Sequence, residues 1–413
     1  MDDTSRSAAQ RHLWPLIIAA SAILLITMGV RQTSGLFLIP ITQSTGVSIV
    51  AMSFALAVGQ FVFGAAQPVF GAIADKFGAT KVVIAGAIML ALGSILTPFA
   101  TSSIGLLLTM GVLSAAGAAA GSFSILIGIA AQRLPPEKRS FAAGLINAGG
   151  SIGQSVFAPL VQLIIGAAGW ASAMFATAFA ALLTIPLVLP LRRSTGAGAA
   201  GAASLAPVPH LTLGEQVRVA LRDPSYLCLH AGFFTCGFHI AFLVTHLPGE
   251  VQLCMLPASV AASSLAIIGL ANVAGSLWAG WAGGVMRMKW LLFIMYISRA
   301  VAVLIYMAAP KSPTTFYIFA VVLGFTWLAT VPPTAGIIGK LFGVRYLGTL
   351  FGLATFTHQI GGFFGASLGG YVMTRFGDFS WMWYADAALA LLAALVNLPI
   401  REAKLVRPAA ATA

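Results

Sequence analysis

The chain is 413 residues long, 59 % hydrophobic and only 8 % charged, with 22 Lys and Arg against 10 Asp and Glu for a net charge of +12. A soluble domain carries roughly 25 % charged residues to cover its surface. This composition therefore excludes a soluble enzyme, a disordered chain and a nucleic-acid binder.

A bilayer core takes about 20 apolar residues per helix. Twelve such runs follow one another, at 14–39, 48–73, 81–101, 104–131, 140–166, 169–190, 225–247, 258–285, 289–308, 313–338, 347–373 and 379–400. Membrane β-strands would be about 10 residues long and alternating, so these long continuous runs predict helices. The first run is too long for a cleaved leader and has no A-x-A site after it, so it counts as helix 1. The sequence thus predicts an all-α membrane protein of twelve transmembrane helices embedded in the lipid bilayer.

The basic residues fall in alternate loops. Of the 22, 18 lie at the N-terminus, in every second loop or at the C-terminus, and only Lys311 and Arg375 fall in the other loops. Cations concentrate on the cytoplasmic side, which predicts cytoplasmic termini in a bacterial inner membrane. The net charge is a topology signal.

Residues 191–224 are the one long polar interruption. Ser194 to Pro209 is rich in Ala, Gly, Ser and Pro, a flexible-linker composition. Leu211 to Asp223 then places Leu213, Val217, Ala220 and Leu221 on one face, as a helix lying on the membrane surface does. The expected organisation is a six-helix bundle over 1–190, a cytoplasmic linker with an amphipathic helix over 191–224, and a second six-helix bundle over 225–413. The halves echo each other. Arg133-x5-Arg139 leads to Gly144 and Gly149–Gly150, and Lys340-x4-Arg345 leads to Gly352 and Gly361–Gly362, about 207 residues later. Such repetition is how many secondary transporters are built, with the substrate between the repeats.

The loop after helix 2 reads Gly71-Ala-Ile-Ala-Asp75-Lys76-Phe-Gly78-Ala-Thr-Lys81. It resembles the signature loop of the major facilitator superfamily, with one basic position replaced by Thr80. Gly71 permits close helix approach, Asp75 can cap a helix end or pair with an Arg, and Gly78 permits a tight turn. The counterpart after helix 8 has Gly280 and Gly284 but no acid. The segment Lys138 to Gly153 and the run Gly29-Val-Arg31-Gln-Thr-Ser-Gly35 resemble the monocarboxylate and oxalate/formate carrier branch. That resemblance implies a two-bundle pseudo-symmetric fold, and it aligns Arg31 and His358 with functional lysines of the branch. One departure stands out. Carriers of the branch often have an Arg in helix 8, whereas Asn272 and its neighbours are uncharged, so one carboxylate, or a different anion geometry, fits better than an anion held between two cations.

Arg31 lies inside helix 1, where an ionisable residue by default marks a pathway and an Arg offers a fork to a carboxylate. The alternative is snorkelling to the outer interface. His239 and His246 share a face of helix 7, and His358 sits mid-way along helix 11; histidine titrates near physiological pH, although a lone His is more often a structural hydrogen bonder. Asn147, Asn272, Trp327 and Gln359 stand at midplane depth and could bond substrate or join helices. Arg139 and His246 could serve gates, and Pro332–Pro333 would break helix 10 as a rocking helix requires. Arg299 and Asp386 read as structural, with a direct pair between them doubtful. Cys228, Cys236 and Cys254 form no metal-ligand pattern and read as small apolar fillers.

The expected function is alternating-access transport of a small organic anion, a monocarboxylate, with a proton. The protein would be a monomer without cofactor or metal. The rivals are an exporter of drugs or metabolites on the same fold, an exchanger or uniporter, and a membrane sensor. No enzyme motif is present.

Overall fold

A computed structural model describes residues 13–192 and 211–402, and every regular element within them is a helix. The membrane helices are α1 (Trp14–Thr45), α2 (Ile49–Phe77), α3 (Ala79–Leu96) and α4 (Ser103–Arg133). They continue with α5 and α6, then α7 (Pro224–Leu253), α8 (Ala258–Val285) and α9 (Met288–Ala308). The last three are α10 (Pro313–Phe342), α11 (Leu347–Phe376) and α12 (Ser380–Asn397).

Among the described residues nine helical stretches are long and apolar enough to cross a bilayer. One of them, Pro136–Leu187, turns at Gly169, where φ is +81°, and so comprises both α5 (136–168) and α6 (170–187). A side chain at that φ would be strained. The less apolar α11 and α12 bring the helices to twelve: α11 is diluted by Gly and Thr, and α12 carries Asp386 and Asn397.

The outer surface is apolar. Phe54, Leu163, Phe179, Ile305 and Ile318 are each more than half exposed. In water such a girdle would be an aggregation surface, whereas acyl chains match it. Inside, small residues let backbones approach, as they do where lipid offers no hydrophobic drive. A Cβ on Gly149 of α5 would lie 2.5 Å from Ser21 O of α1, and Gly361 and Gly365 of α11 abut the Phe234 and Phe238 carbonyls of α7 in the same way.

Both α4 and α10 break mid-way, at Gly121–Ser122 and at Trp327–Thr330. Each break is held by the first helix of its own set. Thr27 Oγ1 of α1 donates to Gly121 O at 2.8 Å, and the Cys236 thiol of α7 donates to Trp327 O at 3.6 Å. Pro332 and Pro333 explain the second break, because neither has an N–H to return to the preceding turn.

The expected surface helix forms over Leu213–Ala220, shorter than 211–223. Thr212 caps it in a reciprocal box with Glu215, and Asp223 instead caps α7 while pairing with Arg401 at 2.5 Å. The linker Ser194–Pro209 and His210 lie outside the described residues.

Candidate functional site

The regular part of α1 ends at Gln32, a tight turn spans Ser34–Phe37, and the helix resumes at Leu38. Arg31 stands in the last regular turn. Its guanidinium donates to Gln60 Oε1 of α2 and lies 3.8 Å from the centroid of the Phe63 ring, a cation–π distance. Among the described residues no carboxylate pairs with it.

Arg31 lines a cavity of about 260 Å³ behind α1. Ser94 of α3, Ser114 of α4 and Thr177 of α6 supply hydroxyls; Leu90, Met110 and Met174 supply apolar wall. A π-helical stretch of α4, Leu107–Ser114, carries Met110 and Ser114 to that wall, a distortion frequent at functional sites. Gln60 and Val244 of α7 also border the cavity and are exposed, so it opens toward the side opposite the chain ends.

The other sequence candidates gather elsewhere, around the α10 break. Asn147 of α5 donates to Ser276 Oγ of α8 at 2.7 Å and to Leu328 O at 2.9 Å. Asn272 of α8 donates to Ser151 Oγ of α5 at 2.5 Å and accepts from Leu328 N at 2.9 Å. Arg299 of α9, 1 % exposed, donates to Thr326 O, to Trp327 O at 2.7 Å and to the Cys236 thiol at 3.4 Å. Arg299 thus satisfies carbonyls that the break frees. Pro332, Pro333 and Trp327 are all buried there.

His239 turns away from the Arg31 cavity. Its Nδ1 meets Asp386 Oδ2 of α12 at 2.6 Å, both groups are buried, and its ring packs edge-on to Trp327 at 5.9 Å. Asp386 therefore pairs with His239 and not with Arg299. His358 of α11 is half-buried, packs against Phe233 at 5.2 Å and lies beside the Cys236 thiol. His246 bonds Ala366 O of α11 at 2.8 Å, and the half-buried Gln359 packs against Gly64 of α2. Near the side away from the termini, Tyr306 donates to Glu250 at 2.7 Å and Lys311 lies 3.7 Å over the Tyr306 ring. Burial holds the Lys311 amine below the usual lysine range, with Glu250 opposing.

A sequence model described as Major Facilitator Superfamily matches residues 19–284 and 255–413. The chain belongs to this superfamily. It is a multi-pass membrane transporter of small molecules, not an enzyme. It is 28 % identical over 398 residues to a Rattus norvegicus protein named monocarboxylate transporter 13, covering 94 % of this chain and 89 % of that one. It is 25 % identical over 369 residues to the oxalate:formate antiporter of Oxalobacter formigenes, covering 88 % and 86 %. These relatives fall in the branch that the α1 and α5 segments resemble. Among solved structures, a proton:xylose symporter superposes with a TM-score of 0.76 at 12 % identity, covering 96 % of this chain and 97 % of that one. The E. coli fucose:proton symporter gives 0.67 at 16 % identity, covering 94 % and 98 %. Both share the superfamily fold.

The superfamily's signature loop sits where the two sets of helices meet on the terminus side. Asp75 Oδ2 accepts from Thr349 N and Thr349 Oγ1, each at 2.8 Å, in the first turn of α11. A carboxylate there also complements the helix dipole. Gln132 bridges Asp75 and Arg345 O at 3.2 Å to each. A Cβ on Gly71 would lie 2.5 Å from Gly348 O, and one on Gly144 of α5 would lie 2.7 Å from the Gly280 Cα of α8. The terminus side is closed. Lys76 and Lys81 are exposed, Lys76 reaching over Phe77 at 5.1 Å; Gly78 turns at φ +94°. Arg139 donates to Leu134 O at 3.0 Å within its own loop.

Sequence reading did not single out Gln60, Ser94, Ser114 or Thr177. They are neutral and common in apolar helices, so only the packing around Arg31 marks them.

Proposed function

We propose that this carrier moves a small organic anion, a monocarboxylate, together with a proton across the bacterial inner membrane by alternating access. The observation that carries the reading is Arg31. It is a permanent cation in a membrane helix, faced by an amide and a ring, in a cavity whose described wall holds no acid. A charge at that depth costs about 2.5–3.5 kcal/mol or more, and an arriving carboxylate neutralises it through a two-pronged hydrogen bond. The hydroxyls of Ser94, Ser114 and Thr177 offer partners for a second polar group on the substrate.

Size favours a small acid over a drug. About 260 Å³ falls below the roughly 300–1,000 Å³ of drug-sized pockets. The names of the relatives, monocarboxylate transporter and oxalate:formate antiporter, agree with this reading. The distribution of Lys and Arg supports cytoplasmic termini, and hence a cytoplasmic closed side, with the Arg31 cavity opening outward. Rocking of one six-helix bundle, 1–190, against the other, 225–413, across the 191–224 linker would expose it to the opposite face. Asp75, Gly71, Arg139, Pro332 and Pro333 act in that motion, and His358 or His239 takes the proton.

The test is uptake of a labelled monocarboxylate panel into proteoliposomes, with and without an inward proton gradient, for wild type and Arg31→Ala. Gradient-stimulated uptake that Arg31→Ala loses at substrate concentrations below the wild-type KM supports the reading. Uptake that persists in Arg31→Ala makes Arg31 structural. Exchange without gradient stimulation favours an antiporter, and no carboxylate uptake at all favours an exporter.

A further inference from the structure

Asp386 is the one acid deep in a predicted membrane run, and the sequence reads it as structural. It is fully buried on α12, and it holds a histidine from a helix 147 positions away. An ionised carboxylate only accepts hydrogen bonds, so His239 Nδ1 carries the hydrogen in this contact and Nε2 is left with a lone pair. Among the described residues, that Nε2 is buried without a partner, and so is the second oxygen of Asp386, Oδ1. Buried polar atoms are rarely left unpaired. Here two of them belong to one acid–base pair.

The surroundings explain why the pair persists and what one proton would change. Helix α9 contributes Arg299 and Tyr296, with Arg299 committed to the Thr326 and Trp327 carbonyls and Tyr296 donating to Gly232 O at 2.7 Å. On α7 Cys236 lies one turn before His239, and on α11 the half-buried His358 lies beside Cys236. Farther out, Tyr306, whose ring lies 4.8 Å from Trp383 of α12, donates to Glu250. Helix α10 offers Trp327 and Thr330, and α8 offers Asn272 and Ser276, none of which titrates at physiological pH. Arg299 is therefore held in place by its carbonyl contacts, while the His239–Asp386 pair can pass from a net charge of −1 to zero by accepting a proton on Nε2.

We propose that the His239–Asp386 pair is the binding site for the co-transported proton, separate from the substrate site at Arg31. This rests on the anion-transport reading above. The charges of the two sites then enforce coupling. Empty, Arg31 is +1 and the pair is −1. Loaded with anion and proton, both sites are zero. These two states carry the same total charge. Anion without proton leaves one negative charge in excess, and proton without anion leaves one positive. Moving an uncompensated charge through the bilayer interior is costly, so the singly loaded forms do not reorient. The edge contact of His239 with Trp327 at the α10 break ties the protonation state to the segment that Asn147 and Asn272 hold.

The experiment compares wild type with Asp386→Asn in proteoliposomes, by two assays on the same preparation. An amide is a permanent neutral stand-in for the protonated pair. Counterflow exchange of labelled for unlabelled carboxylate moves no net proton, so Asp386→Asn retains it. Uptake driven by an inward proton gradient requires the empty carrier to return unprotonated, so Asp386→Asn loses it at least tenfold. A pH-indicator dye with the purified protein in weak buffer reads protons taken up per carboxylate bound; wild type takes up close to one and Asp386→Asn close to none. Gradient-driven uptake or proton uptake that survives in Asp386→Asn overturns the assignment. So does loss of counterflow in Asp386→Asn, with or without loss of the folded carrier, because a proton site is dispensable for exchange. Failure of wild type itself to exchange any carboxylate overturns instead the anion reading on which this rests.

Discussion

Asn147 and Asn272 each hold the other's serine. Asn147 of α5 donates to Ser276 of α8, four residues beyond Asn272, and Asn272 donates to Ser151, four residues beyond Asn147. Antiparallel helices at this crossing place i and i+4 of one against i+4 and i of the other. Both asparagines also bind Leu328, one at its carbonyl and one at its N–H. The first six helices and the last six are thus stitched together at the point where the regular hydrogen-bond ladder of α10 is interrupted.

Removing the stitch should loosen the closed side. Side-chain bonds between membrane helices average about 0.6 kcal/mol, so losing three of them across the crossing shifts the closed–open balance by about twentyfold. In a Ser140→Cys reporter, buried against Gly283, adding Asn147→Ala and Asn272→Ala should raise the maleimide labelling rate by that order. An unchanged rate would mean that the glycine contacts alone hold this face shut.

The guanidinium fork of Arg31 should matter as well as its charge. Hydrogen bonds to charged groups contribute about 1.5–3 kcal/mol, so Arg31→Ala should raise the KM for carboxylate about 10- to 100-fold. Arg31→Lys keeps the charge and loses the planar pair of donors, and should fall between the two. Equal KM values for Lys and Arg would show that the site senses only charge.

Arg299 should be a stability residue. Its loss leaves the Thr326 carbonyl without its guanidinium donor and the Trp327 carbonyl with the Cys236 thiol alone, at about 1–3 kcal/mol for a buried group left unsatisfied. Arg299→Met should lower the apparent melting temperature in detergent by about 5 °C or more. If Arg299→Met melts like wild type yet stops transporting, the residue belongs to the transport machinery.

Crowding at Gly71 should be felt at once. Gly71→Val forces a branched side chain against Gly348 O, 2.5 Å from where its Cβ would stand, and separates Asp75 from the first turn of α11. Faster maleimide labelling of a Gln132→Cys reporter is the expected outcome, since Gln132 bridges this contact. Slower labelling would place the closure elsewhere.

The helices were legible because apolar length and loop charge are local properties. All twelve runs correspond to helices, and Pro332–Pro333 announced the break in α10. The linking of distant residues was not legible. His239 and Asp386 are 147 positions apart, and nothing in either neighbourhood names the other. Arg31 stood out because a cation in an apolar run is rare, whereas Gln60, which receives its hydrogen bond, resembles any neutral residue of α2. His239 and His246 share a helix face as their spacing requires, but that face looks toward α11 and α12 and not into the Arg31 cavity. Which way a face points depends on neighbours that periodicity does not specify.

The three thiols of α7 and its end form a ruler native to the chain. Cys236 is sealed at the middle, while Cys228 and Cys254 are only half-buried. They stand about 39 Å apart at 1.5 Å per residue, one near each mouth of the protein. A reagent too polar to cross lipid is expected to meet Cys228 from one face and Cys254 from the other. Sidedness in whole cells, and which mouth is ajar under a given ligand, can therefore be read from the unaltered polypeptide.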